Sequence, residues 1–479
     1  MTNPISVEQL TPLDASMPRT YIRVVLVFED AATRPHPATE LTQRVQSGLN
    51  AISAQIPWLS GKVVTRKAAS EQPYSLEIQW DAETTPTLVD KGTIDTSYET
   101  ASAQGMPPEC IPEAVWPVPG MIDEALHTAG APVFAASIFR FADRGLGLCV
   151  CMHHNAVDGA AFAEIIQLWA RHTADPDPQF AVRMSTKTRC EQLSGALAGD
   201  QAETSSISTD ELFKRHPEYS RQPPALPKTF PSCICKLFRI PHHWINTLKT
   251  LLRKYTSTPP STNTILSALL WTTITRVRRT TTTPSARPSD TTTSSRLATA
   301  VNARQRLGPT FSPQDSPYLG NAILYALTKF PAADLAASDE TPIHALAKIC
   351  DAIVRSQATS TISQRHVAEV NELITRMDRP GALFVGWDLF NARDLTLTSW
   401  ADFDLYGVDF GFGDGFLGET PAFVRLPYME ADGVVIVLPR RPGGRAGEGE
   451  GKVEVMVMLR RDHMNALGED EMWRTLICT

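Results

Sequence analysis

Long apolar runs are scarce in this sequence. The best candidate, Gly433 to Leu438, is only strand-length, whereas a bilayer-spanning helix needs about 20 apolar residues, so no membrane segment is predicted. The opening stretch, MTNPISVEQLTPLD, lacks a basic segment leading into an apolar core, so a secretory signal is not expected. No Asn-x-Ser/Thr sequon occurs, and the ending Leu476, Ile477, Cys478, Thr479 is neither a prenylation nor a peroxisomal signal. A cytoplasmic location is the expectation. Positive charge is also in deficit: 45 Lys and Arg face 52 Asp and Glu, a formal net charge of −7. That balance argues against a nucleic-acid binder and against tight docking on anionic membranes. Cysteines are few, eight in all, and none form a Cys-x-x-Cys knuckle. Cys149 with Cys151, and Cys233 with Cys235, stand two apart in apolar runs, which puts each pair on one face of a strand. Reduced core thiols are expected, with a metal or disulfide role as the alternative.

What is present suits an ordinary globular enzyme. The chain has 479 residues, 42% hydrophobic and 20% charged, enough for two or three domains with sizeable cores. Strands are predicted at Tyr21 to Phe28, Tyr74 to Trp80, Pro132 to Phe141 and Leu146 to Met152. A helix is predicted from about Thr39 to Ala54. After Gly159, the residues Phe162, Ile165, Ile166 and Trp169 recur at helical spacing, so residues 146 to 170 read as strand, short polar loop, helix. Residues 174 to 231 are polar and Pro-rich without sustained period and read as a crossover between domains. Beyond it come a strand (Cys233 to Ile240) and two helices, His242 to Tyr255 and Asn263 to Val277, the second capped by Thr262 or Asn263. Thr280 to Ser295 is a Thr/Ser/Pro tract, expected as a surface loop. Strand Leu297 to Asn302 and a helical region from Pro342 to Met377 follow. Strands are expected near Leu395 to Trp400, Ala422 to Pro427, Gly433 to Leu438 and Val453 to Leu459, with a Gly-rich loop at Pro442 to Lys452. The class is α/β or α+β with two sheet-containing halves.

Three segments can carry chemistry. In Cys151-Met152-His153-His154-Asn155-Ala156-Val157-Asp158-Gly159 an apolar strand delivers two histidines into a loop, with an aspartate and a glycine beyond. Adjacent side chains at a strand end point in opposite directions, so one histidine faces a given cavity. A neutral imidazole is the usual general base near neutral pH; the bland alternative is a pair of satisfied polar residues at a strand end. Asp158 can cap the following helix or turn inward, and Gly159 permits close backbone approach or positive φ. The second segment, Val408-Asp409-Phe410-Gly411-Phe412-Gly413, alternates glycine with aromatics and reads as a ligand-approach surface or a structural turn. The third is Val301-Asn302-Ala303-Arg304, with Gly320-Asn321-Ala322 downstream; Arg304 is a solvated charge or the buried partner of Asp158.

In this order and spacing the three segments resemble the BAHD-type acyltransferase family, whose members carry His-x-x-x-Asp near mid-chain and Asp-Phe-Gly-Trp-Gly near the C-terminus. Here these are His154 to Asp158 and Asp409 to Gly413, with Phe412 in place of the tryptophan and an indole N–H donor therefore lost. The opening Pro12-Leu13-Asp14 through Pro18-Arg19 and the run Leu438-Pro439-Arg440-Arg441 resemble fungal members near the trichothecene O-acetyltransferases.

The resemblance implies two chloramphenicol-acetyltransferase-like sheet-and-helix domains with an interface channel. The expected division is an N-terminal domain at 1–195, a linker at 196–231 and a C-terminal domain at 232–479, with a strand near 395–420 lent to the N-terminal sheet. It implies acyl-CoA, acetyl-CoA by default, and a small-molecule alcohol acceptor, handled by a monomer with no tightly bound cofactor. His154 would be the catalytic base; Asp158 would pair with Arg304, with Gly159, Asp409, Gly411 and Gly413 in support. A thioester is already activated, so the chemistry needs a base to deprotonate the alcohol and no covalent enzyme intermediate. No Gly-x-Ser-x-Gly elbow is present. Oxyanion donors are sought near Gly411 to Gly413 or elsewhere. Arg276 and Arg278, with Arg279, either meet CoA phosphates or form a solvated helix end. A metal is not expected, since the motif offers one His–Asp pair where a site wants three or four ligands. The alternatives are an N-acyltransferase, a carrier-protein-dependent condensation-type enzyme, and a non-catalytic binding protein of the same fold.

Overall fold

Eight consecutive buried residues, Tyr21–Phe28, form the strand on which the N-terminal half is built. Period two sorts its side chains onto two faces: Ile22, Val24, Leu26 and Phe28 join one core, and Tyr21, Val25 and Val27 another. Leu146–His153 pairs with it antiparallel, Tyr21 opposite His153, and sorts the same way. Leu148, Val150 and Met152 face the helices, while Cys149 and Cys151 share the opposite face. The seven cysteines among the described residues are all free thiols.

The computed structural model describes residues 5–29, 38–66, 75–175, 184–281, 294–336, 342–378, 381–412, 420–441 and 451–477. Among these, the N-terminal five-stranded sheet runs Phe423–Arg425, Tyr21–Phe28, Leu146–His153, Phe134–Arg140, Leu88–Thr93. Helices Ala38–Gln55 and Gly159–Ala174 cover one face. A four-stranded sheet of Ser6–Gln9, Ser75–Trp80, Lys62–Arg66 and Ala131–Pro132 flanks it.

The C-terminal half holds a six-stranded sheet in the order Cys233–Pro241, Lys452–Arg460, Val434–Val437, Leu395–Ser399, Ser294–Asn302, Ile323–Pro331. Alternation here joins the halves. Val435, Val437, Val455 and Val457 face helix Thr262–Thr281, whereas Ile436, Met456 and Met458 join the core of the N-terminal sheet. No helix of the described residues is long and apolar enough to cross a membrane.

Several expectations need correcting. The strand Leu395–Ser399 lies inside the C-terminal sheet, parallel to both neighbours. The segment that crosses to the N-terminal sheet is instead Phe423–Arg425, paired antiparallel with Tyr21–Phe28. The crossover is not structureless: helices Arg189–Ser205 and Thr209–Arg215 occupy it, burying Leu193, Leu197 and Leu212 against helix Gln364–Thr375. A capping box explains the first, with Thr188 Oγ1 accepting from the Glu191 N–H and Glu191 returning a carboxylate to the Thr188 N–H. The helix Thr262–Thr281 is capped by Ser261, whose Oγ accepts from the Thr264 N–H at 3.0 Å. The helical region expected from Pro342 to Met377 holds two helices, Pro342–Gln357 and Gln364–Thr375, the second capped by Ser363. Gly413, Tyr74 and most of the tracts at 280–295 and 442–452 lie outside the described residues.

Candidate active site

The strand Leu146–His153 ends by setting its two histidines on opposite sides. His153 keeps the parity of Cys149 and Cys151, is fully buried, and packs edge-on against Tyr21 at 5.7 Å between ring centroids. Its Nδ1 accepts from the Asn155 N–H at 3.1 Å. Burial first, then the neighbouring His154, pushes its imidazole down to about 3, so it is neutral and committed to packing.

His154 lies past the strand end and keeps partial exposure. Its main chain is pinned twice: the N–H donates to Thr20 O at 2.9 Å, and the carbonyl accepts from Asn321 Nδ2 at 2.9 Å. Nδ1 is buried and has no hydrogen-bond partner. Burial lowers the imidazole below its ordinary value, against the main-chain carbonyls of His154 and Val157, Asp158 and Asn321, which raise it. The ring is therefore neutral at pH 7.

Asp158 makes its hydrogen bonds with other groups. It is the N-cap of helix Gly159–Ala174, with Oδ1 accepting from the Ala161 N–H at 2.9 Å. Arg304 grips it with two prongs, Nη1 to Oδ2 at 2.7 Å and Nη2 to Oδ1 at 3.0 Å, and the Ala322 N–H adds a fourth bond at 2.9 Å. Burial alone would raise this carboxyl, but Arg304 and the N–H donors outweigh it and hold it low. Arg304 donates further to Tyr318 O and Gly320 O. Both Asp158 oxygens are spoken for, which leaves none to ligate a metal. Gly159 has no positive φ; it is needed for close approach, because a Cβ there would stand 2.7 Å from Phe403 Cε2.

A second buried carboxylate, Asp14, braces the loop from the other side. Its Oδ1 accepts from the N–H and Nδ2 of Asn321 at 2.7 and 2.9 Å, and its Oδ2 accepts from the Thr11 N–H and hydroxyl. Asn155 Nδ2 donates to the Asp14 and Met17 carbonyls, and Arg189 Nη1 donates to Ala156 O at 2.8 Å while standing 3.6 Å from Asp14. Asn321 thus ties Asp14 to the His154 main chain. Sequence reasoning assigned no role to Asp14, Asn155 or Arg189. The pattern Thr11-Pro12-Leu13-Asp14, a capping box on a one-turn helix, was the available signal for the first.

The remaining candidates among the described residues, Asp409, Gly411, Arg276 and Arg278, lie elsewhere. Asp409 is exposed and its Oδ1 accepts from the Gly411 N–H at 2.6 Å, closing a turn. Gly411 has φ +69, and a Cβ on it would meet Ala174 Cα at 2.7 Å. Ala174 ends a 16-residue helix that begins beside Asp158, so this turn stands about 24 Å from the loop at 1.5 Å rise per residue. Oxyanion donors at Gly411 are excluded by that distance. Phe410 and Phe412 stack at 5.5 Å and both meet Phe28 edge-on. A buried ring fills the Phe412 position. Arg276 is held by Asp470 at 2.9 Å, and the buried Arg278 by Asp432 at 3.0 Å and the Asp394 carbonyl. Each guanidinium is thus already paired with a carboxylate.

Comparison with known proteins adds the following. A family model described as "Transferase family" matches residues 120–472, and one described as "Trichothecene 3-O-acetyltransferase-like N-terminal domain" matches residues 20–172. The chain is 26% identical over 497 residues to the trichothecene 8-O-acetyltransferase of Fusarium sporotrichioides, covering 96% of each. It is 26% identical over 522 residues to the O-acetyltransferase ptmV of Penicillium ochrochloron, covering 97% of this chain and 95% of that one. In fold it is similar to F. graminearum TRI101 complexed with coenzyme A and T-2 mycotoxin, with TM-score 0.80, 18% identity, and coverage of 98% and 99%.

Proposed function

The chain belongs to the Transferase family, and from that premise we propose that it is an acyl-CoA-dependent O-acyltransferase in which His154 deprotonates a hydroxyl of a small-molecule secondary metabolite. Acetyl is the acyl group proposed, since the two sequence relatives described above are named as O-acetyltransferases. The observation that carries the reading is the environment of His154. Its Nδ1 is buried while the residue keeps partial exposure, so Nε2 is the nitrogen left to face a reactant. Burial holds the ring neutral, which leaves a lone pair to accept a proton at pH 7.

Nε2 takes the acceptor's O–H proton as that oxygen attacks the thioester carbonyl. The tetrahedral intermediate collapses with rupture of the C–S bond, and the imidazolium returns the proton to the departing CoA thiolate. Protons and electron pairs balance with no covalent enzyme intermediate. Asp158, fully engaged by Arg304, takes no proton and fixes the loop. Asp14 and Asn321 hold the same loop from the N-terminal side. Asp409 and Gly411 support the fold at a distance.

We take residues 1–195 and 232–479 as the two halves, with acyl-CoA and the alcohol meeting between them, in a cytoplasmic monomer. Free thiols at every described cysteine fit a reducing compartment. The test is thiol release from acetyl-CoA, with product mass, across a panel of hydroxylated fungal metabolites, with amines and an acyl-loaded carrier protein as controls. Ester products dependent on acetyl-CoA are expected. Amide products, or turnover with the loaded carrier alone, would overturn the reading.

A further inference from the structure

Away from this site, the crossover and the helix Gln364–Thr375 bring two histidines and two glutamates together. His216 and Glu218 are 2% and 4% exposed, so nothing here is a solvated surface cluster. Glu218 Oε1 lies 3.2 Å from His216 Nδ1 and 3.1 Å from His366 Nε2, and these three atoms lie within 4.8 Å of one another. The other nitrogen of His216, Nε2, stands 3.0 Å from Glu369 Oε2. Glu369 is itself anchored through Oε1 by Arg215 and Arg365, at 3.0 and 3.1 Å.

Protonation bookkeeping makes this arrangement informative. An ionised Glu369 only accepts, so His216 Nε2 must carry its proton toward it. If Nδ1 carries no proton, it faces with a bare lone pair a Glu218 oxygen that also only accepts. His366 Nε2 is buried, makes no hydrogen bond of sound geometry, and lies 3.1 Å from the same oxygen. With no proton on His216 Nδ1 or His366 Nε2, three acceptors meet here, and a cation is what such a point lacks.

We propose that His216, Glu218 and His366 ligate a divalent transition-metal ion, zinc by ligand type, which fastens the crossover to the C-terminal half. Two imidazole nitrogens and one carboxylate oxygen are a zinc set, and bonds of 2.0–2.1 Å give tetrahedral edges of about 3.3 Å, close to the two short separations here. Glu369 fills the outer role that carboxylates commonly play, receiving the far N–H of a ligating histidine and fixing its tautomer. The ligands span 150 positions, from His216 to His366, so no local spacing betrays them. The sequence expectation of no metal rested on the cysteine spacings and the His154–Asp158 motif. The ion has no part in acyl transfer, so this proposal stands or falls apart from the reading of His154.

Plasma mass spectrometry of the tag-free full chain, expressed with zinc and purified without chelator, tests it. About one zinc, or one other divalent transition-metal ion, per chain is expected. His216→Gln and His366→Gln should lower that at least tenfold. Zinc added back to chelator-treated wild type should raise its melting temperature and leave the variants unmoved. Less than about a tenth of an ion per chain, with no shift on zinc addition, would mean that a second proton on His216 fills the point. Variants that keep the wild-type zinc content would equally overturn the proposal. Should neither variant fold, wild-type stoichiometry and add-back decide.

Discussion

Replacing Asp158 by Asn changes one oxygen to an amide nitrogen and removes one charge, and the structure sets the cost. The carboxylate is fully buried and accepts four hydrogen bonds, two from Arg304 and one each from the Ala161 and Ala322 N–H groups. If Asn keeps its oxygen for the Ala161 cap, its amide hydrogens confront the Ala322 N–H and Arg304 Nη1, donor against donor. Arg304 is left without a countercharge in a site almost closed to water. Breaking a buried pair in this way costs about 3–5 kcal/mol. At roughly 2–4 °C per kcal/mol for a cooperative unit of 150–250 residues, a fall in melting temperature of ~6 °C or more is expected at pH 7. The pH dependence follows from the sign of the shift. Because the folded carboxyl is held below its ordinary value, its contribution is complete above the unfolded pKa, about 4, and is lost as pH falls through the lower folded one. The gap between wild type and variant should therefore be widest at neutral pH and narrow below about pH 4. Scanning calorimetry measures both. A variant that melts within 2 °C of wild type at pH 7 would refute the reasoning.

Three further outcomes are expected. The kcat/KM profile should keep its plateau to below pH 6.5, because burial lowers the His154 imidazole, and fall only as the ring protonates; an acid limb centred above 6.5 would contradict this. Gly159→Val should destabilise by about 1–3 kcal/mol, since its Cβ would press on the Phe403 ring, and Phe403→Leu should recover part of the loss in thermal unfolding. Arg276→Ala should leave the KM for acetyl-CoA within twofold of wild type, because Asp470 already holds that guanidinium; a tenfold rise in KM would restore its phosphate role.

The local chemistry of the loop was largely legible in the sequence. The apolar run at Leu146, the polar break and the stripe Phe162, Ile165, Ile166, Trp169 mark out strand, loop and helix, and all four stripe residues are buried. Strand parity separates His153 from His154. What was not legible arises from contacts between distant segments. Asp14 reaches Asn321 across 307 positions, and the ladder of Phe423–Arg425 on Tyr21–Phe28 depends on which edge the C-terminal half presents. The crossover helices are a different case. Thr188 with Glu191, and Ser208 with Glu211, were readable caps, but so few apolar residues lie between them that periodicity gave no signal. Asp409 to Gly411 was legible only as two alternatives, a ligand surface or a structural turn; the structure has the turn, with the rings packed inward on Phe28.

The most direct test compares wild type with His154→Ala in acetyl transfer from acetyl-CoA to an alcohol accepted by the wild type, with a melting curve for each. The account predicts that the variant melts within about 2 °C of wild type and loses roughly 10²–10⁴-fold in kcat. A folded His154→Ala protein that acetylates at the wild-type rate would contradict it.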